Sequence, residues 1–320
     1  MLDILFSSLH GPVLDRQIEP ADADVRFVSC AGKPPEPAGN PSFWVTWDEP
    51  ANGEIDFSIP FERRILCITE PPEYKDYSIL LPPHRYILSP FLIHPTALTP
   101  GSVVIRTPPL INWHYGVDMS REAPALPLTL EVLRREAPPV KTKLMAMVCS
   151  SIDTLPAHRQ RILFMRALRR QFADHIDFFG KGFAFIPDKR QAIYDYKYLI
   201  CLENNFHKHF WTEKISDALL GRAVPVYAGC PNVADYFPKQ SFIPIDYRDP
   251  ESAVRTIAQL LDGDSEADYA ERRPCLEEAR ARLFTHYNAP AALARLVRYI
   301  HCAPDCLDAE LLARVYLGCA

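Results

Sequence analysis

The sequence predicts an α/β protein built on parallel sheet, and three observations carry that reading. Short apolar, β-branched or aromatic runs alternate with helical patterns through the second half of the chain. Turn residues separate these runs, so each is a strand or helix of ordinary length. At 320 residues the chain is also long enough for two cores.

The elements follow in order. Met1-Leu2-Asp3-Ile4-Leu5-Phe6 reads as a first core strand; with an acid at position 3, no basic start and too short an apolar run, it does not fit a signal peptide. The chain has 31 prolines against 12 glycines, and pairs such as Pro71-Pro72, Pro82-Pro83 and Pro108-Pro109 fall early, which predicts a loop-rich first half with short strands. Between positions 123 and 142 a short helix flanked by prolines reads as a connector. The boundary is expected near Val140, dividing 1–140 from 141–320. Beyond it come a strand at 143–149, a helix at 156–172, strands at 176–179 and 198–202, a helix opening at Thr212 and a strand at 224–227. This alternation means a parallel, doubly wound sheet. The tail, 251–261 and 268–317, reads as three or four helices, and Ala291, Leu293, Leu296 and Ile300 give the penultimate one a core-facing stripe.

Composition excludes several classes. With 48% hydrophobic and 23% charged residues the chain is an ordinary globular one, not a disordered or fibrous one. No run approaches the roughly 20 apolar residues a bilayer-spanning helix needs. A net charge of -5 argues against a general nucleic-acid binder. Nine cysteines, odd in number and without a repeated spacing, make no disulfide framework, so reduced thiols in the cytoplasm are expected. His301, Cys302 and Cys306 lie close together but lack a second thiol pair, so a zinc site is not expected. No GxGxxG stands at a strand-to-helix turn, so no dinucleotide cofactor is expected.

The stretch 196–231, YKYLICLENNFHKHFWTEKISDALLGRAVPVYAGCP, is the most informative. Its buried strand ends at Glu203-Asn204-Asn205, and Thr212 caps a helix beginning Glu213-Lys214 and stopping at Gly221. In parallel α/β sheets ligands sit outside the carboxyl ends of strands, and helix N-termini attract anions. A solvated first turn would account for Glu213. Lys214 fits it poorly, because a cation at a helix start is disfavoured unless an anion compensates.

This stretch resembles the donor-binding signature of glycosyltransferase family 10, the α-1,3/4-fucosyltransferases, in their bacterial form. The residues that carry the resemblance are Leu202-Glu203-Asn204-Asn205, then Phe210-Trp211-Thr212-Glu213-Lys214, then Val224-Pro225-Val226 and Gly229. Further likeness lies in Arg161 to Leu168, in Ile176-Asp177-Phe178-Phe179-Gly180-Lys181-Gly182 and in Ser241 to Asp246. In the first half it is thinner: Ile68-Thr69-Glu70-Pro71-Pro72, Tyr86 to Phe91, and Arg106 to Leu110.

The resemblance implies a GT-B-like fold: two Rossmann-like domains facing a cleft, donor nucleotide in the second and acceptor on the side of the first. It implies an inverting transfer of fucose from GDP-fucose to a hydroxyl of a glycan or lipid-linked oligosaccharide acceptor. Arg161 and Lys214 would neutralise the diphosphate, Glu213 would hold the ribose, Glu203 and Asn204 would line the sugar pocket, and Phe210, Thr212 and Lys181 would complete the donor side. Two cations and a helix start can do what a metal does elsewhere, so no metal is required. Glu70, at the end of an apolar strand, would be the base, raised toward the working range by partial desolvation. Asp48 and Glu49 are reserves for acceptor contact; His84, His94 and His114 fit core or rim positions better. The other arginines near Arg161, namely Arg159, Arg166, Arg169 and Arg170, read as the wet face of a helix.

Asn205, Phe210 and Leu202 depart from the family's usual Ser, Tyr and Phe, which leaves another GDP-sugar as the alternative donor. A retaining mechanism fits poorly, because its paired glutamates have seven residues between them and Glu203 and Glu213 have nine. A nucleotide-sugar-binding subunit without catalysis is the third reading. A cytoplasmic location with peripheral contact to the inner membrane is expected.

Overall fold

The computed structural model describes residues 1–7, 16–18, 24–29, 42–50, 53, 55, 57–118, 120, 128–149, 156–180 and 183–319. They form two units, Met1–Asn112 with Thr285–Ala320, and Trp113–Phe284. The division differs from one near Val140, and it moves the end of the chain into the first unit.

The first unit is a six-stranded sheet of β1 (Leu2–Ser7), β2 (Val25–Ser29), β3 (Ser42–Trp47), β4 (Arg64–Cys67), β5 (Tyr86–Ser89) and β6 (Val103–Arg106), in the order β2-β1-β3-β4-β5-β6. Every pairing is parallel. A parallel sheet needs cover on both faces, yet the proline-rich connections from β3 to β6 supply only short 3₁₀ turns among the described residues. Two distant helices provide the cover instead. Ile4 and Phe6, Phe43 and Val45, Ile65 and Cys67, Tyr86 and Leu88 share one face at the two-residue period and pack with Leu293, Leu296, Val297 and Ile300 of one helix and Leu312 and Tyr316 of the next. Those helices are Ala289–Cys302 and Ala309–Leu317. The apolar stripe expected there is thus core, except that Ala291 is only half-buried.

On the opposite face Trp44 Nε1 donates to Thr46 Oγ1 at 3.0 Å, and Thr46 Oγ1 lies 2.9 Å from His84 Nε2. His84 Nδ1 is 2.5 Å from the Leu80 carbonyl, which can only accept, so the proton is on Nδ1 and Nε2 accepts from the threonine. His84 is a core residue, and burial lowers its pKa to about 4. Between pH 6.5 and 4 the unfolded chain binds a proton that the folded chain refuses, so stability falls as pH drops through that window. The difference is worth about 3 kcal/mol. Denaturant unfolding at neutral pH and near pH 4 checks this: a His84→Gln variant lacks that part of the acid loss.

The second unit is a five-stranded parallel sheet of β7 (Lys143–Val148), β8 (Ile176–Phe179), β9 (Tyr196–Leu202), β10 (Val224–Ala228) and β11 (Ile243–Pro244), ordered β11-β10-β9-β7-β8. The helices in this unit are α1 (Leu130–Arg135), α2 (Pro156–Phe172), α3 (Glu213–Leu220), α4 (Pro250–Asp262) and α5 (Ser265–Thr285), the last ending at the boundary; the two helices on the first sheet are α6 and α7. Every residue of β9 is buried, as befits a central strand covered on both sides. Both sheets are Rossmann-like, as a GT-B-like chain requires. No helix of the described residues is long and apolar enough to cross a membrane.

Candidate functional site

The chain runs from β7 to β8 on one side and then returns to β9 on the other, so the carboxyl ends of β7 and β9 mark the point where the strand order reverses. Crevices form at such points because the flanking connections diverge to opposite faces. A cavity of about 230 Å³ lies there. Val148 and Cys149 at the end of β7, Gly180 after β8 and Leu202 of β9 contribute its wall, and Arg161, Lys189, Glu213, Lys214 and Asp217 supply its charge.

Each charged group is held by a separate device. Arg161, on the inner face of α2, is 5% exposed and donates through Nη1 to Asn204 Oδ1 at 2.5 Å. Thr212 is the N-cap of α3, its hydroxyl accepting from Lys214 N at 3.3 Å. Behind that cap Glu203 is fully buried; its carboxylate accepts from Thr212 N and Oγ1, each at 2.9 Å, and from Lys214 Nζ at 3.1 Å. Lys189 reaches in from the turn before β9, with Nζ 2.9 Å from Asp217 Oδ2 and 3.4 Å from Glu213 Oε1. Asp217 Oδ1 accepts from the backbone N-H of His114 at 2.8 Å and of Tyr115 at 3.0 Å.

The ionic set is self-consistent. Burial opposes charge on Lys214, but Glu203 and Glu213 hold its pKa above the usual lysine value. Glu213 is likewise opposed by burial and carried well below the usual carboxylate range by Lys214 and Lys189. Lys189 is raised against its own burial by Asp217 and Glu213. Three cations therefore stand charged or hydrogen-bonded around one cavity beside a helix start, an arrangement suited to a phosphate-bearing ligand.

Several expectations change. Glu203 does not line the cavity; it is an internal anchor for Thr212 and Lys214, because a carboxylate so deeply buried must be fully hydrogen-bonded. Phe210 is 4% exposed and is not on the cavity wall. Asn204 acts through Arg161. Lys181 lies outside the described residues. Gly221 does close α3, but the left-handed residue is Arg222, at φ 56. Sequence reading overlooked Lys189 and Asp217. Asp217 could have been found, since it follows Glu213 by four residues on the same helix face; Lys189 sits in a turn without periodicity.

Gly180 closes the cavity edge at φ 114, and a Cβ there would lie 2.2 Å from the carbonyl oxygen of Cys149. Gly180→Ala should cost about 2–3 kcal/mol through strain and displacement of that carbonyl. Comparing urea midpoints of the variant and the parent measures it.

In the first unit Glu70 lies three residues past β4, at the carboxyl end of the sheet, and is exposed, not desolvated as expected. The turn that carries it is fixed from below by Asp48. That residue is 1% exposed and sits at φ 57. Its Oδ1 accepts from Thr69 N at 2.7 Å, Tyr77 Oη at 2.5 Å and Glu70 N at 3.3 Å, and Oδ2 accepts from Thr69 Oγ1. Asp48 is thus internal and unavailable for acceptor contact, while Glu49 pairs with Lys75 at 2.9 Å.

Comparison with known proteins bears on the second unit. Residues 138–273 match the family model Glycosyltransferase family 10 (fucosyltransferase) C-term. The matched stretch contains the whole cavity wall. The human 4-galactosyl-N-acetylglucosaminide 3-alpha-L-fucosyltransferase 9 is 30% identical over 128 residues, 38% of this chain and 34% of the relative. The Helicobacter pylori Alpha-(1,3)-fucosyltransferase FucT is 33% identical over 76 residues, 23% of this chain and 16% of the relative. The chain thus aligns with about a third or less of the length of these relatives. Among solved structures, an alpha1,3-Fucosyltransferase with GDP-fucose shares 16% identity, covering 85% of this chain and 80% of that one, with a TM-score of 0.45.

Proposed function

We propose that the protein is an inverting α-1,3-fucosyltransferase-like enzyme that moves fucose from GDP-fucose to a hydroxyl of a glycan acceptor. The observation that carries this reading is the convergence of Arg161, Lys189 and Lys214 on one cavity at the reversal point of the family-10 segment.

Departure of GDP from the sugar puts negative charge on the diphosphate while the sugar carbon becomes oxocarbenium-like. Arg161 can grip two phosphate oxygens at once, and Lys214 supplies a point charge at the start of α3. Both are held in advance, so the site need not reorganise as charge develops. Glu213, kept ionised by its two lysines, can accept from ribose hydroxyls. Glu70 would take the proton of the attacking hydroxyl as the carbon-oxygen bond forms and the bond to the diphosphate breaks. Its exposed position leaves it reachable by an acceptor sugar.

Another GDP-sugar is the alternative donor within the same chemistry: Phe210 stands where the family's signature carries tyrosine, although its ring is buried away from the cavity wall, so it would act on discrimination between similar sugars through its neighbours. A panel of GDP- and UDP-sugars, followed for slow hydrolysis and then for transfer, tests both. The expected result is turnover of GDP-fucose above all others. Preference for another GDP-sugar would select the alternative donor, and turnover of UDP-sugars alone would overturn the proposal.

A further inference from the structure

We propose that the outer face of α2 docks the protein on an anionic membrane surface. The helix has one residue set facing inward, with Arg161, Ile162, Phe164, Met165 and Leu168 all buried. Its opposite face carries Arg159, Leu163, Arg166 and Arg170, all exposed and spaced by four, three and four residues, so they form one stripe. Arg169 stands beside it, its guanidinium 4.9 Å above the ring of Phe183.

Three features separate this face from an ordinary wet helix. The first is charge: α2 contains five arginines and no acidic residue in a chain whose net charge is -5. None of Arg159, Arg166, Arg169 and Arg170 has a carboxylate partner among the described residues. Other exposed arginines do find partners, such as Arg135 with Glu131 and Arg248 with Asp246. Secondly, Leu163 stands in the middle of the stripe with 62% of its surface in water. Thirdly, Arg166, Arg169 and Arg170 rim a groove of about 640 Å³ at the side of this face, with Ala173 and the half-buried Phe183 in its wall and the inward-facing Ile162 and Met165 beneath.

Guanidinium groups around an apolar floor and a projecting leucine match a phospholipid surface, where phosphates lie a few ångströms above acyl chains. Nucleic acid would satisfy the arginines but has nothing to receive Leu163. Arg161 points the other way, into the donor cavity, so a membrane on the outer face leaves that cavity unobstructed on this helix. The inference does not depend on which sugar is transferred.

Flotation of the full chain with vesicles of phosphatidylcholine, with and without phosphatidylglycerol, tests it. The protein should float with the anionic vesicles at low salt, stay behind with neutral ones, and be released by high salt. Each basic residue at such a surface is worth roughly a fivefold change in partitioning. An Arg166→Gln/Arg169→Gln/Arg170→Gln variant should therefore lose roughly a hundredfold. Leu163→Ser should weaken binding while leaving its salt dependence intact. As a charge-matched control, Lys208→Gln/Arg255→Gln/Arg273→Gln should bind nearly as the parent does; melting curves confirm that both triple variants fold. Failure of the parent to float with anionic vesicles, equal binding to neutral ones, or equal loss in the control would overturn the proposal.

Discussion

Lys214→Met should lower the unfolding free energy by about 3–5 kcal/mol and weaken GDP binding roughly 30- to 150-fold. Two causes act at once. Glu203 is fully buried and loses its cationic partner 3.1 Å away, keeping only the Thr212 donors. The cavity also loses the charge placed at the mouth of α3. A double variant, Glu203→Gln with Lys214→Met, separates the two. Gln keeps the shape and can still accept from Thr212 but carries no charge to strand, so most of the stability should return while the nucleotide affinity stays low. Urea unfolding and calorimetric titration on the same preparations give both quantities. Recovery of affinity together with stability would mean that Lys214 serves the fold alone.

Asp48→Ala should be comparably costly, about 3–5 kcal/mol, but with the opposite functional signature. Four donors lose their acceptor: the N-H of Thr69 and of Glu70 and the hydroxyls of Thr69 and Tyr77. Alanine also tolerates the left-handed backbone at this position less well than aspartate does. The turn bearing Glu70 then loses its support, and transfer should fall at least as far as in Glu70→Gln. GDP affinity, which belongs to the other unit, should hold in both variants. Asp48→Asn is the milder probe, about 1–3 kcal/mol, because its amide can accept the backbone bonds but not the Thr69 hydroxyl. Steady-state transfer rates beside GDP titrations of the three variants give the comparison. Unchanged transfer in Glu70→Gln would remove Glu70 from the mechanism.

What the sequence revealed and what it hid follow from the range of the forces involved. Strand β9, the Thr212 cap and the end of α3 at Gly221 were legible because each depends on neighbours within four residues, and the bounds expected for α2 and β8 match those observed. Arg161 could be told from the arginines around it by its place in a family-like pattern, and its burial agrees with that distinction. The cover of the first sheet was not legible. Nothing local ties Leu293 or Leu296 to Ile4 and Ile65, more than two hundred residues earlier in the chain, and the apolar stripe of α6 fits either unit equally well. Glu203 and Asp48 misled for a common reason: a carboxylate at the end of a strand looks the same in sequence whether it faces a ligand or turns inward to hold a cap or a turn. Lys189 was hidden because its neighbours Glu213 and Asp217 lie on another element.

Transfer from a nucleotide sugar requires the cavity between β7 and β9 to receive a diphosphate. A crystal structure of the protein with GDP tests this most directly. The expected result has phosphate oxygens at about 2.7–3.2 Å from the Arg161 guanidinium and the Lys214 ammonium, with the ribose beside Glu213. GDP bound elsewhere, with Arg161 still bonded to Asn204 and Lys214 to Glu203, would contradict it.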